Sequence, residues 1–390
     1  MTLPVIIVGA GLAGWSTARE LRKLDGATPV LLITADRGDF YAKPSLSNAF
    51  AQGRTPAQLV GTPADQMAQT HHVTLMAHTQ VLAIDPARGV VTTTGGEFAY
   101  RDLVLATGAQ PIRVPMAGNA ADQVLSVNSL QDFEVFHARV ANTHGAENRG
   151  KRVVIMGAGL IGCEFANDLA GAGYRVSVVD PAERPLAALL PASAGEALRD
   201  ALHGLGIAWH FNATVAAVDQ QTCGDPPALQ ISLSNDVQIV ADIVLSAIGL
   251  RADTTLAQAA GLACERGIVV DTALQTSAAH IYALGDGAQY ASAGSRTLPF
   301  VMPIMGAARA LAATLAGQRT ELAFPLMPVT VKTPALPIVI ATPAPGLPGQ
   351  WTGREPGLWQ FIGTQNQSLG FVLTGPHTSR RTEQSRLVQM

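Results

Sequence analysis

With 390 residues, the chain has room for two or three domains, each large enough to bury a core of its own. Charged residues make up only 14% and apolar residues 48%, against roughly 25% charged in ordinary soluble chains, so much of this protein is interior. Lys and Arg number 26 against 29 Asp and Glu, a formal net charge of −3 that excludes a global field for holding nucleic acid.

In chain order, Val5-Ile6-Ile7-Val8 reads as a buried strand and not as a signal peptide, since no basic leader precedes it. It runs straight into Gly9-Ala10-Gly11-Leu12-Ala13-Gly14; a helix from Ala13 to about Leu24 and a strand from Pro29 to Thr34 complete a βαβ unit. Leu103 to Leu105 reads as a strand that ends in the small residues Ala106-Thr107-Gly108-Ala109, where backbone or ligand must come close. Asn142 to Gly150 is polar and glycine-bearing, an exposed loop by composition. The βαβ grammar then returns: strand Val153–Met156, the turn Gly157-Ala158-Gly159-Leu160-Ile161-Gly162, a helix to about Ala170, and strand Val176–Asp180. Ile243 to Gly249 is the counterpart of the Leu103–Ala109 strand. From Pro325 proline becomes dense, yet β-branched runs such as Val329–Val331 and Ile338–Ile340 persist, which predicts a small strand-rich domain. His377 to Met390 is polar enough for a frayed end or a surface helix.

Continuous apolar strands alternating with helices call for parallel sheets covered on both faces. The fold expected is α/β: two Rossmann-type dinucleotide-binding domains plus a small α+β C-terminal domain. One glycine-rich turn would be a weak signal, but two of the same form predict two dinucleotides. In each turn the first glycine permits the tight bend, the second lets backbone approach a pyrophosphate, and the third lets helix and strand pack closely. Free N–H groups of the first helical turn then face the phosphate charge. Asp180 stands 18 residues beyond Gly162, near the spacing of about 20 for a carboxylate on an NAD ribose, and it would repel a 2′-phosphate. Arg184 nearby suits either an adenine stack or a solvated surface position.

Thr276, followed by Ile281-Tyr282-Ala283-Leu284-Gly285-Asp286, narrows the field. Together with Ala106-Thr107-Gly108, this string resembles the two-dinucleotide flavoprotein reductases of the glutathione-reductase-like superfamily. Within it, Tyr41-Ala42-Lys43-Pro44-Ser45-Leu46-Ser47, Gly162-Cys163-Glu164-Phe165-Ala166-Asn167-Asp168 and Val331-Lys332-Thr333-Pro334 look like the rubredoxin–NAD reductases, over essentially the whole chain. The resemblance implies a discontinuous FAD domain (1–112 and 250–324), an NADH domain (113–249) and a C-terminal domain (325–390) against the flavin. It implies FAD on Gly9, Ala10, Gly11, Leu12, Ala13 and Gly14, with Thr34 and Ala35 at the adenosine ribose, where a carboxylate is more usual. Further FAD contacts it implies are Val81, Ala106, Thr107, Gly108, Gly285, Asp286 and Val301; Asp286 also suits capping a following helix, and Val81 a place in the core. For NADH it implies Gly157, Gly159, Gly162, Asp180 and Arg184. Lys43 is implied beside flavin N5, paired with Glu164 near the nicotinamide, and Lys332 approaches the flavin from the C-terminal domain. Taken singly, the lysines suit solvated surface positions and Glu164 an early helical turn.

Disulfide reductases of this superfamily carry cysteines beside the flavin, whereas Ser45-Leu46-Ser47-Asn48-Ala49 has no sulfur, which excludes a dithiol relay. Cys163, Cys223 and Cys264 are odd in number without a short-range pair, a poor disulfide framework that suits core positions in a cytoplasmic protein. Adjacent His71 and His72 form no obvious metal site. Nor does any apolar run reach the roughly 18 residues of a membrane helix, so no membrane insertion is expected. The resemblance therefore implies an NADH:rubredoxin reductase: hydride from NADH to flavin N5, then single electrons to rubredoxin, feeding an alkane hydroxylase. The competing readings are a ferredoxin reductase of a dioxygenase or cytochrome P450 system, an NADH oxidase, and a flavin/NADH redox sensor without turnover.

Overall fold

A computed structural model describes residues 2–142, 150–221 and 228–389 of the chain. The loop expected between Asn142 and Gly150 and the loop of Cys223 lie outside the described residues. Two compact units emerge, Met1–Lys43 with Val60–Gln110 and Leu250–Pro325, and Pro44–Leu59 with Pro111–Gly249 and Leu326–Met390.

The first unit is built on a five-stranded sheet in the order Ile281–Ala283, Asp102–Leu105, Val5–Val8, Val30–Ile33, Thr74–Met76. All four pairings are parallel. Val5–Val8 and Val30–Ile33 are buried at every position, which is why these sequences are unbroken apolar runs and not alternating ones. Helix Leu12–Leu24 follows the first glycine turn and anchors through fully buried Trp15, whose indole N–H donates to the Gly38 carbonyl at 2.8 Å. A second helix, Val301–Leu315, keeps its buried face small and apolar, with Ala307, Ala308 and Leu311 at zero exposure. The strand order reverses on either side of Val5–Val8, and ligands of open α/β sheets bind outside the carboxyl ends of strands at that switch point.

The second unit repeats the plan. Its parallel sheet runs Leu125–Ser126, Ile243–Ser246, Arg152–Met156, Arg175–Asp180, Ala208–Phe211, with helix Leu160–Gly171 leaving the second glycine turn. The proline-dense C-terminal segment forms a separate five-stranded antiparallel sheet in the order Val329–Val331, Ile338–Ala341, Ser368–Thr374, Leu358–Gly363, Gly349–Glu355. Near its end, helix Arg381–Leu387 buries Gln384, which accepts a hydrogen bond from Gln360 at 2.8 Å.

Residues 44–59, which lie inside the first domain's span in the sequence reading, pack in the second unit. Asp168 accepts the N–H groups of Phe50 (2.8 Å) and Ala51 (2.9 Å), and the Phe50 ring lies among Phe133, Phe136, His137 and Tyr174. One alternative for Asp286 is corrected here. No helix starts at it; the chain continues into strand Ala288–Tyr290, Tyr290 is the N-cap of the short 3-10 helix Ala291–Ala293, and Phe300 that of the next long helix.

Candidate cofactor and active site

The three glycines of each turn have different surroundings. A Cβ on Gly9 would lie 2.3 Å from the Ala106 carbonyl oxygen, and one on Gly14 would lie 1.9 Å from the Gly9 oxygen. Gly9 also has φ +107°, a conformation that only glycine adopts cheaply. A Cβ on Gly11, by contrast, would meet nothing within 4 Å. Gly157, Gly159 and Gly162 repeat the pattern: 2.6 Å from the Ala247 oxygen, open space, and 1.9 Å from the Gly157 oxygen. The outer glycines are thus demanded by the fold, while the middle ones front open space. Gly11 and Gly159 are the N-caps of their helices, and neither helix has a side-chain cap bond or an acidic residue in its first turn. Both helix ends are left electrostatically suited to an anion.

Around the first turn the structure gathers most of the residues singled out for FAD. A Cβ on Gly285 would touch Ala13 at 3.0 Å, and one on Gly287 would lie 2.9 Å from the Gly108 oxygen and 3.4 Å from the Thr107 hydroxyl. Thr107 itself donates to the Asp253 carbonyl at 3.1 Å. Asp286 is largely shielded, and burial raises its carboxyl above the ordinary range while Lys43, 3.8 Å away, pulls it back. Thr34 is buried and donates to Asp36 at 2.6 Å; its backbone N–H and C=O are taken by Met76 and Thr79, so its hydroxyl lone pairs are what it offers a ribose. Val81 opens strand Val81–Asp85, half-buried, and Val301 opens its helix at 40% exposure.

In the second unit Asp180 accepts the N–H of Ala158, inside the glycine turn, at 2.6 Å and that of Ala182 at 2.7 Å. Each oxygen keeps acceptor capacity for a ribose hydroxyl. Arg184 pairs with Glu183, and its aliphatic stem lies against the helix position of Gly195. Glu164, one turn into the helix, is 7% exposed and accepts from the Lys332 ammonium (2.5 Å), the Lys332 backbone N–H (2.9 Å) and the Ser47 hydroxyl (2.6 Å). Lys332 also donates to the Pro44 carbonyl at 2.5 Å. Lys43 and Glu164, expected as a pair, fall in different units, and each has a partner within its own: Asp286 for Lys43, Lys332 for Glu164.

Two residues escaped sequence reasoning. Ala247, against which Gly157 packs, was signalled by the small-residue strand end it shares with Ala106. Ser47, which reads as a mere absence of cysteine, bonds both Glu164 and Lys332, and no local pattern announces contacts across 117 and 285 residues. Cys163 is fully buried and its thiol is pushed far up by burial, an inert core cysteine.

Fold and site together define a class of protein with two Rossmann-type dinucleotide turns, each shaped by its own glycines, and a small C-terminal sheet domain. Residues 3–311 match the family described as pyridine nucleotide-disulphide oxidoreductase, and residues 321–387 match a rubredoxin binding C-terminal domain. The chain belongs to the pyridine nucleotide-disulphide oxidoreductase family. It is 43% identical to a rubredoxin-NAD(+) reductase of Alcanivorax borkumensis over 95% of each chain. A nitric oxide reductase FlRd-NAD(+) reductase of Aeromonas salmonicida is 42% identical, over 96% of this chain and 94% of that one. Among solved structures, the ferredoxin reductase for the CYP199A2 system of Rhodopseudomonas palustris superposes with a TM-score of 0.84 at 26% identity, covering 97% of this chain and 93% of that one.

Proposed function

We propose that this chain is an FAD-dependent NADH:rubredoxin reductase working in the cytoplasm. The observation that carries the reading is the rubredoxin-binding match over 321–387 on a chain whose two glycine turns each leave open space at the middle glycine. Among the described residues no helix is long and apolar enough to cross a membrane. Bound FAD supplies exchange between a two-electron hydride donor and a one-electron acceptor. Gly11 and the helix end it caps hold its pyrophosphate, and Thr34 accepts from a ribose hydroxyl. Asp286, facing Lys43 at 3.8 Å, accepts hydrogen bonds from the cofactor's hydroxyl groups. Lys43 and Glu164 are the residues assigned to catalysis, and Lys332 is assigned a place at the flavin. A cation beside a developing negative charge stabilises it most where water is excluded. Asp180 selects NADH by accepting from a 2′-hydroxyl and repelling a 2′-phosphate.

The relatives' names divide over what lies downstream, and the final consumer proposed here is an alkane hydroxylase. The test is anaerobic mixing of the yellow protein with NADH, then with purified rubredoxin or a panel of ferredoxins. Bleaching by NADH and re-oxidation fastest with rubredoxin is the expected result. Fastest re-oxidation by a ferredoxin establishes the rival reductase, rapid re-oxidation by oxygen alone an oxidase, and binding without turnover a sensor.

A further inference from the structure

A cleft of about 690 Å³ lies wholly within the second unit, walled on one side by Arg184 and the loop Ala187–Pro191, and on the other by Trp351 and Trp359 of the C-terminal sheet. Its size falls in the range of small-molecule sites. The loop wall is tied to the second glycine turn: Asp180 takes the Ala158 N–H, and Leu186 N–H donates to the Ala158 carbonyl at 2.9 Å. The loop that walls the cleft is thus hydrogen-bonded, through Leu186, to the second glycine turn.

The opposite wall is a hairpin of Gly349–Glu355 and Leu358–Gly363, in which Trp351 faces Phe361 and Gly353 faces Trp359 across the strands. Alternation puts Trp351 and Gly353 on one face, and the cross-strand register puts Trp359 beside them. Trp359 is fixed in place, its indole N–H donating to the Ser193 hydroxyl at 3.0 Å, while Trp351 packs edge-on to Phe361 at 5.4 Å. Gly353 leaves the indole uncovered, since a Cβ there would meet only Trp359, at 3.6 Å. Arg184 Nε is buried with no hydrogen-bond partner among the described residues, and Glu196 stands on the same wall, so the lining carries little net positive charge. Two indoles, a guanidinium plane and balanced charge suit a neutral planar ring.

We infer that Trp351 and Trp359 of the C-terminal domain are specificity-determining residues for NADH, forming the platform on which its adenine ring rests. The inference deepens the NADH assignment above and rests on it. It gives the C-terminal domain a task in donor binding besides any in acceptor docking.

The experiment uses the FAD-loaded full chain and three variants: Trp351→Ala/Trp359→Ala, Gly353→Leu, which fills the cleft, and Ser193→Ala, which frees Trp359. ADP-ribose, which has the adenosine end without nicotinamide, is titrated calorimetrically. Flavin reduction is followed with NADH and with reduced nicotinamide mononucleotide, which lacks adenosine. The expected result is ADP-ribose affinity reduced about tenfold in the double variant and in Gly353→Leu, and less in Ser193→Ala. Reduction by the mononucleotide stays unchanged. ADP-ribose affinity within about threefold of wild type in the first two variants overturns the proposal. So does an equal loss with both donors, which marks general damage. Should the wild type bind ADP-ribose and be reduced by NADH yet fail to reduce rubredoxin, the acceptor assignment falls and this proposal stands.

Discussion

Gly11 and Gly14 lie three residues apart and answer to different masters. Gly14 has a backbone oxygen 1.9 Å from where its Cβ would sit, whereas Gly11 has open space. Gly14→Ala therefore prevents folding of the first unit, while Gly11→Ala leaves a folded protein that binds FAD weakly. Flavin absorbance and circular dichroism on the same preparations distinguish the two, and a yellow Gly11→Ala protein would contradict the assignment. Gly159→Ala is the matched control: full FAD content with a raised KM for NADH. Lys43 is a residue of electrostatics and not of packing, 41% of its side chain being exposed. Lys43→Met slows anaerobic flavin reduction by NADH by about tenfold, equivalent to roughly 1.4 kcal/mol of barrier. Unchanged reduction would remove Lys43 from catalysis.

At the scale of elements, helix Leu160–Gly171 ties its unit together, because it buries polar side chains beside its apolar ones. Glu164, Asn167 and Asp168 are 7%, 4% and 3% exposed, spaced so that they share one side of the helix. They bind backbone on two other segments: Asp168 the Phe50 and Ala51 N–H groups, Glu164 the Lys332 N–H, and Asn167 the Ala335 N–H at 3.1 Å. Asp168→Asn puts an amide N–H₂ against one of two N–H donors, which costs about 1–3 kcal/mol for a buried unsatisfied donor. The urea midpoint measures that loss, and an unshifted midpoint would mean the contact is dispensable. Beside this segment, His137 stacks on Phe50 at 5.5 Å, and burial lowers its pKa. The unfolded chain then binds more protons than the folded one below the ordinary value of about 6.5, so stability rises with pH in that window and is lost on acidification. His71 and His210 are lowered by burial too and add the same sign. The melting temperature should fall between about pH 7 and pH 5, and His137→Phe should flatten the fall; an identical slope in the variant would exclude His137 as a contributor.

Across the whole molecule, the chain passes between the two units at residues 43, 59, 110, 249 and 325. The first unit contains nothing beyond Pro325, so a chain ending there should keep its FAD. It loses the Lys332 ammonium and backbone N–H from Glu164, and with them the rubredoxin-binding segment. Truncated protein should be yellow but unable to pass electrons to rubredoxin, read as NADH-dependent rubredoxin bleaching. Rubredoxin turnover at the wild-type rate would show that the segment is not the acceptor surface.

Much of this was legible from local pattern. Glycine turns, flanking apolar strands and the strand ends at Ala106 and Ala247 are short-range signals, because backbone geometry and β-strand burial act over a few residues. Only the tertiary structure decided who holds whom. Glu164 meets Lys332 across 168 residues, Asp168 meets Phe50 across 118, and Asp286 stands two residues before strand Ala288–Tyr290, where its type also suits a helix cap. The Trp351–Trp359 platform needs a hairpin register and a neighbouring loop to exist at all. Partner choice for a buried charge is a competition among every group the fold brings near, and that competition is run by packing, which sequence spacing does not encode.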